Sequence, residues 1–201
     1  MSTFLKILQV REELLRLNIR IFSTTEFSRI FRAPQYSIKY FLEEQTNRGL
    51  FVRLKKGLYA LKTDFPGEEE IANALYKPSY ISFEYALAYY GILPEMPYRI
   101  TCATTKPTRL FTIGQSSFAY YTIKEKAYQG YSLIKTEAKT FLMADKEKAL
   151  VDYLYFESIG EKTHNDRLNF KNLDKNKLLD YAKLFNRKNL TKIVMNIYAN
   201  I

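Results

Sequence analysis

The stretch from Thr24 to Lys56 collects side chains whose chemistry is to bond anions and flat polar edges. Guanidinium and ammonium groups donate to phosphate oxygens, and a glutamine amide can bond adenine through two hydrogen bonds at once. Gln35, Tyr36, Ser37, Lys39 and Tyr40 fall in one run and are the candidates for base edges. Thr24, Thr25, Arg29 and Arg32 come just before them and suit phosphate. Arg53, Lys55 and Lys56 sit beside Gly57, between two apolar runs. The formal net charge is +10, and residues 1–62 hold 12 Lys/Arg against 5 Asp/Glu, so +7 of it lies in the first third. That concentration fits double-stranded DNA as a partner. The alternatives are a solvated basic surface or a module that binds protein.

Other chemistries have little to build on. One cysteine, Cys102, allows no internal disulfide, and with one histidine, His164, it allows no zinc or redox site of several Cys and His ligands. Cys102 lies in an apolar–polar alternation with no basic neighbour to activate it, so a buried structural thiol is expected. His164 has only Asp166 nearby in sequence, which fits a solvated loop better than catalysis. Lys148 and Asp152 are four residues apart, and a capped helix carrying an ion pair is expected there rather than an acid–base site. The 17 tyrosines are spread along the whole chain, which fits packing and interfaces better than a stacking surface. Tyr89, Tyr90, Tyr120, Tyr121 and Tyr128 could form a partner surface, and Lys106–Arg109 is a small basic turn. The expectation is a protein that is not an enzyme, with no metal and no cofactor.

The elements that must position the basic run can be read locally. Residues 3–17 suit a helix with Phe4, Ile7, Leu8, Leu14 and Leu15 near one face. Ser23-Thr24-Thr25-Glu26 has the form of a capping box, with Phe22 and Phe27 as a hydrophobic staple. That helix should reach about Phe31, ahead of Pro34. A second helix is expected from Gln35 to about Arg48, ended by Gly49. Phe51–Leu54 and Leu58–Leu61 then read as a hairpin turning at Lys55-Lys56-Gly57. Helix, short strand, two helices and a hairpin make the order of a winged helix-turn-helix, with the second helix of the pair entering the major groove.

The expected organisation is α+β throughout. A winged helix-turn-helix DNA-binding domain occupies residues 1–62, a hinge 63–79, and a mixed α+β domain 80–201. Glu68–Glu70 suit the first turn of a helix. In the second domain Ser82 should cap a helix to about Tyr90. Short strands are expected at Tyr98–Thr104, Thr108–Ile113, Phe118–Ile123, Tyr131–Lys135 and Thr140–Met143. Asp145, Asp174 and Asn189 should open the last three helices, reaching about Ile159, Phe185 and Ile201. No apolar run approaches the ~20 residues of a membrane-spanning helix. Charges interrupt the N-terminal residues too often for a signal peptide. A soluble, cytoplasmic protein with no membrane partner is expected.

Three segments resemble the AbiEi-type antitoxins, a bacterial family with an N-terminal winged helix. They are RLKKGLYAL (Arg53–Leu61), YISFEYALAYYGILPEMPYRITCATTKPTR (Tyr80–Arg109) and KEKALVDYLYF (Lys146–Phe156). The resemblance spans residues 20–156, and the residues that carry it are packing and turn residues. It implies a transcriptional autorepressor that binds inverted repeats in its own promoter. It also implies an antitoxin that counters a nucleotidyltransferase toxin without a stable complex, in a toxin–antitoxin system linked to phage defence. The family supplies no catalytic residues to carry over. The alternative is a winged-helix regulator whose second domain senses a ligand or dimerises. An enzyme acting on nucleic acid or on a toxin comes third.

Overall fold

The computed structural model describes residues 5–137 and 139–199, and they form a mixed α+β protein with eight α-helices and two sheets. Phe4, expected on the first helix, and residues 200–201, expected to end the last one, lie outside the described residues. The chain divides into two compact units, Met1–Leu75 and Tyr76–Ile201.

In the first unit the order is α1 (Ile7–Arg16), β1 (Ile21–Ser23), α2 (Thr24–Phe31), α3 (Gln35–Asn47), β2 (Phe51–Lys55), β3 (Leu58–Leu61) and α4 (Glu68–Leu75). The three strands form an antiparallel sheet in the order β1-β3-β2. The capping box is present: the Glu26 amide donates to Ser23 Oγ at 3.1 Å, and the Ser23 amide donates to Glu26 Oε2 at 2.7 Å. The staple closes with the Phe22 and Phe27 rings 5.3 Å apart. Phe51 meets Phe22 edge-on at 5.2 Å, and Val10, Leu14, Ile38, Leu42 and Leu61 complete this core. The expected face of α1 needs correction. Val10 and Leu14 are buried, whereas Leu8 and Leu15 are exposed, at 68% and 38%. At about 100° per residue, Leu8 and Leu15 sit more than a right angle away from the Val10–Leu14 stripe.

The hairpin turn is tighter than the sequence suggested. Lys55 belongs to β2, paired with Leu58, and only Lys56 and Gly57 form the turn. Gly57 has φ +76°, which a β-carbon would strain. Within the segment read as a hinge, the acidic run opens α4, and the Gly67 amide donates to Glu70 Oε2 at 3.0 Å.

The second unit runs β4 (Ser79–Ile81), α5 (Phe83–Tyr89), β5 (Arg99–Thr104), β6 (Arg109–Ile113), β7 (Ser116–Thr122), a 3-10 turn (Glu125–Ala127), β8 (Tyr131–Lys135), β9 (Thr140–Ala144), α6 (Lys146–Ser158), α7 (Lys175–Leu184) and α8 (Lys188–Ala199). Its sheet order is β6-β7-β5-β4-β9-β8. β5 runs parallel to β7, and β4 parallel to β9 with Ile81 opposite Met143. Asp145 and Asp174 cap α6 and α7 as expected, the Lys148 amide donating to Asp145 at 2.8 Å and the Asn176 amide to Asp174 at 2.9 Å. Ser82 does not cap α5. Its hydroxyl donates to Asp152 instead, and Thr101 of β5 takes over, accepting from the Tyr85 amide at 3.2 Å. Burial decides this: the Asp152 carboxyl is enclosed in the core beside Ser82 and takes its hydroxyl as a donor, while the buried Thr101 hydroxyl serves the start of α5.

Candidate nucleic-acid interface

Helix α3 is two-faced. Ile38, Phe41, Leu42 and Gln45 are buried. Gln35, Tyr36, Lys39 and Tyr40 are exposed on the opposite side, with Tyr36 at 74% and Tyr40 at 71%. The spacing produces this, because residues three and four apart share a helix face. Ser37 lies at the boundary and is half-buried. Glu43 and Asn47 extend the exposed face by a further two turns. The sequence reading omitted both, although their spacing from Lys39 and Tyr40 carries the signal. At the start of α3, Pro34 supplies no side-chain cap, so its first amides face outward as donors.

Thr25 and Arg29 are exposed and four apart on α2. Arg32 ends that helix in the left-handed region, φ +47°, and is exposed. Thr24 is half-buried, and its amide donates to the Gly57 carbonyl at 3.1 Å, holding the hairpin turn against the start of α2. Arg53 and Lys56 are exposed on the hairpin. Lys55 is half-buried, and its ammonium donates to the Leu75 carbonyl at the end of α4. This favours its charge, since the last carbonyls of a helix are negative.

Ion pairing separates the cations of this unit into two sets. Arg16 pairs with Glu13 at 2.6 Å, Arg48 with Glu44 at 2.7 Å, and Arg20 with Asp64 at 3.0 Å and Glu70 at 3.3 Å. Among the described residues, Arg29, Arg32, Lys39, Arg53 and Lys56 have no carboxylate within 4.0 Å. A cation without a counter-charge keeps its full attraction for phosphate.

The second unit uses its charges differently. Lys148 and Asp152 form a completely buried ion pair on α6. The Tyr80 and Ser82 hydroxyls donate to the same carboxylate at 3.0 and 2.8 Å. Burial lowers the Lys148 pKa and raises that of Asp152, each opposed by the partner charge. Phe83, next to Ser82, is buried with φ +57°, a strained conformation for an aromatic residue. Cys102 is fully buried, and burial pushes its thiol pKa far up. His164 is an exposed loop residue, 2.9 Å from Glu157 and 3.4 Å from Asp166. A shallow groove of about 320 Å³ is lined by Glu84, Tyr98, Arg99, Ser117 and Tyr121 among others. The Glu84 carboxylate pairs with Lys162 through Oε1, and among the described residues its buried Oε2 has no hydrogen-bond partner. Among the described residues no three His, Cys, Asp or Glu side chains converge on a metal site, and no helix is long and apolar enough to cross a membrane. Neither the family models nor the curated proteins contain a match for this chain.

Proposed function

We propose that the protein binds double-stranded DNA through a winged helix-turn-helix formed by its first unit and acts as a transcriptional regulator. Helix α3 is the reading helix, and the β2–β3 hairpin is the wing. The observation that carries this is the exposed face of α3, where Gln35, Lys39 and two tyrosines stand out in a unit whose exposed Arg29, Arg32, Arg53 and Lys56 have no ion-pair partner among the described residues. The element order and the β1-β3-β2 sheet support the same assignment. Autorepression at inverted repeats, and an antitoxin role against a nucleotidyltransferase toxin, extend the proposal. They rest on the resemblance of Tyr80–Arg109 and Lys146–Phe156 to the AbiEi-type antitoxins. One observation favours a second role for the second unit: the groove beside Glu84, about 320 Å³, lies at the lower end of the ~300–1,000 Å³ range of small-ligand pockets.

The test is binding of the purified chain to DNA from just upstream of its own gene, against a scrambled duplex, over a range of salt. Preferential, salt-sensitive binding that weakens in Arg53→Ala/Lys56→Ala is expected. No binding to either duplex at low salt would overturn the proposal. If a nucleotidyltransferase reading frame neighbours the gene, co-expression with it tests the extension, with rescue of growth expected.

A further inference from the structure

Tyr36 and Tyr40 are unexplained by the fold. Both are more than two-thirds exposed, and among the described residues neither ring packs on another aromatic nor makes a side-chain hydrogen bond. They flank Lys39 and follow Gln35 on the one face of α3 that the core leaves open. A single exposed aromatic is ordinary. Two at a four-residue spacing make a continuous apolar ridge on an otherwise polar face.

We infer that Tyr36 and Tyr40 read the 5-methyl groups of thymines in the major groove. This deepens the DNA-binding proposal and rests on it. The major-groove edge of thymine is the one base edge that presents a methyl group, and apolar side chains recognise it by contact. The ring face of tyrosine supplies that contact, and its hydroxyl can remain in water. Gln35 on the same face is suited to adenine N6 and N7, so the tyrosines and the glutamine favour the same A·T pairs. Four residues of helix rise about 6 Å, and stacked base pairs rise about 3.4 Å, so the two rings span roughly two base-pair steps. The sensitive thymines therefore lie within about two base pairs of each other in each bound site.

The experiment begins by enriching duplexes from a random library with the full-length chain. In the best duplex each thymine is replaced in turn by deoxyuridine, which removes only the methyl group. At one or two neighbouring positions the affinity falls about fourfold, the effect of leaving one methyl unburied. In Tyr36→Ala or Tyr40→Ala the penalty disappears at one of those positions, and in Tyr36→Phe or Tyr40→Phe it stays. Because both side chains are exposed, unchanged thermal melting of the variants is the folding control. The inference is overturned if deoxyuridine is neutral everywhere while the parent duplex still binds, or if the penalty survives both alanine variants. Enrichment of no duplex at low salt overturns the DNA-binding proposal and this inference together. A dimer lost in the alanine variants, with thymine dependence intact, assigns the ridge to self-association and also overturns it.

Discussion

Lysine serves opposite ends in the two units. Lys148 is wholly buried, held by Asp152 and framed by the rings of Tyr80 and Phe185 at 5.6 and 5.1 Å. Lys39 and Lys56 stand in solvent with no counter-charge in the described structure. Lys148 serves internal order, whereas Lys39 and Lys56 stay open to an outside anion. Position relative to the apolar pattern separates the two cases. Lys148 lies in a helix buried almost all round, so its charge needs a partner four residues on. Lys39 lies opposite a buried stripe, where water already solvates it.

The sharpest way to break this contrast is Asp152→Asn. It keeps acceptors for the Tyr80 and Ser82 hydroxyls but strands the Lys148 ammonium, and a loss of about 3–5 kcal/mol is expected in urea unfolding. Adding Lys148→Met should recover most of it, since the pair is then neutral. Arg53→Ala should move stability by no more than about 0.5 kcal/mol. A comparable loss in both variants would erase the distinction between the units.

Next in size is Ser23→Ala, which removes the capping bond to the Glu26 amide and should cost about 1 kcal/mol by the same measurement. Lys55→Ala against Lys56→Ala then splits the hairpin. The first loses a donor to the Leu75 carbonyl and should cost about 1 kcal/mol, reduced by its partial exposure. The second should leave stability unchanged and lower the slope of log affinity against log salt by about 0.9. An unchanged slope for Lys56→Ala would remove it from the interface. The smallest effect concerns Cys102: no reaction with a thiol-exchange reagent in the native protein, and full reaction in denaturant.

What could be read in advance follows from distance along the chain. The Ser23–Glu26 box, the turn at Gly57 and the caps at Asp145 and Asp174 each involve residues at most three apart, and each was legible. The exposed residues of α3 followed from their period, apart from Glu43 and Asn47. The strand order of the second unit was not legible. β4 is only three residues long and sits at the edge of a segment that reads as a hinge. Its neighbours come from residues 99–104 and 140–144, and no local signal encodes such pairings. The Ser82–Asp152 bond, 70 residues apart, took the hydroxyl away from the cap that local sequence had assigned to it.

The parallel pairing of Ile81 with Met143 has a consequence for the protein during its own translation. The sheet of the first unit is complete in sequence at Leu61, but β4 has no parallel partner until the ribosome has passed Met143. At about 5–20 residues per second that interval is roughly 4–16 s. In its later part, once β5 is also made, the nascent chain already holds every strand its basic unit requires, while one of the two central strands of the larger sheet waits with one edge open.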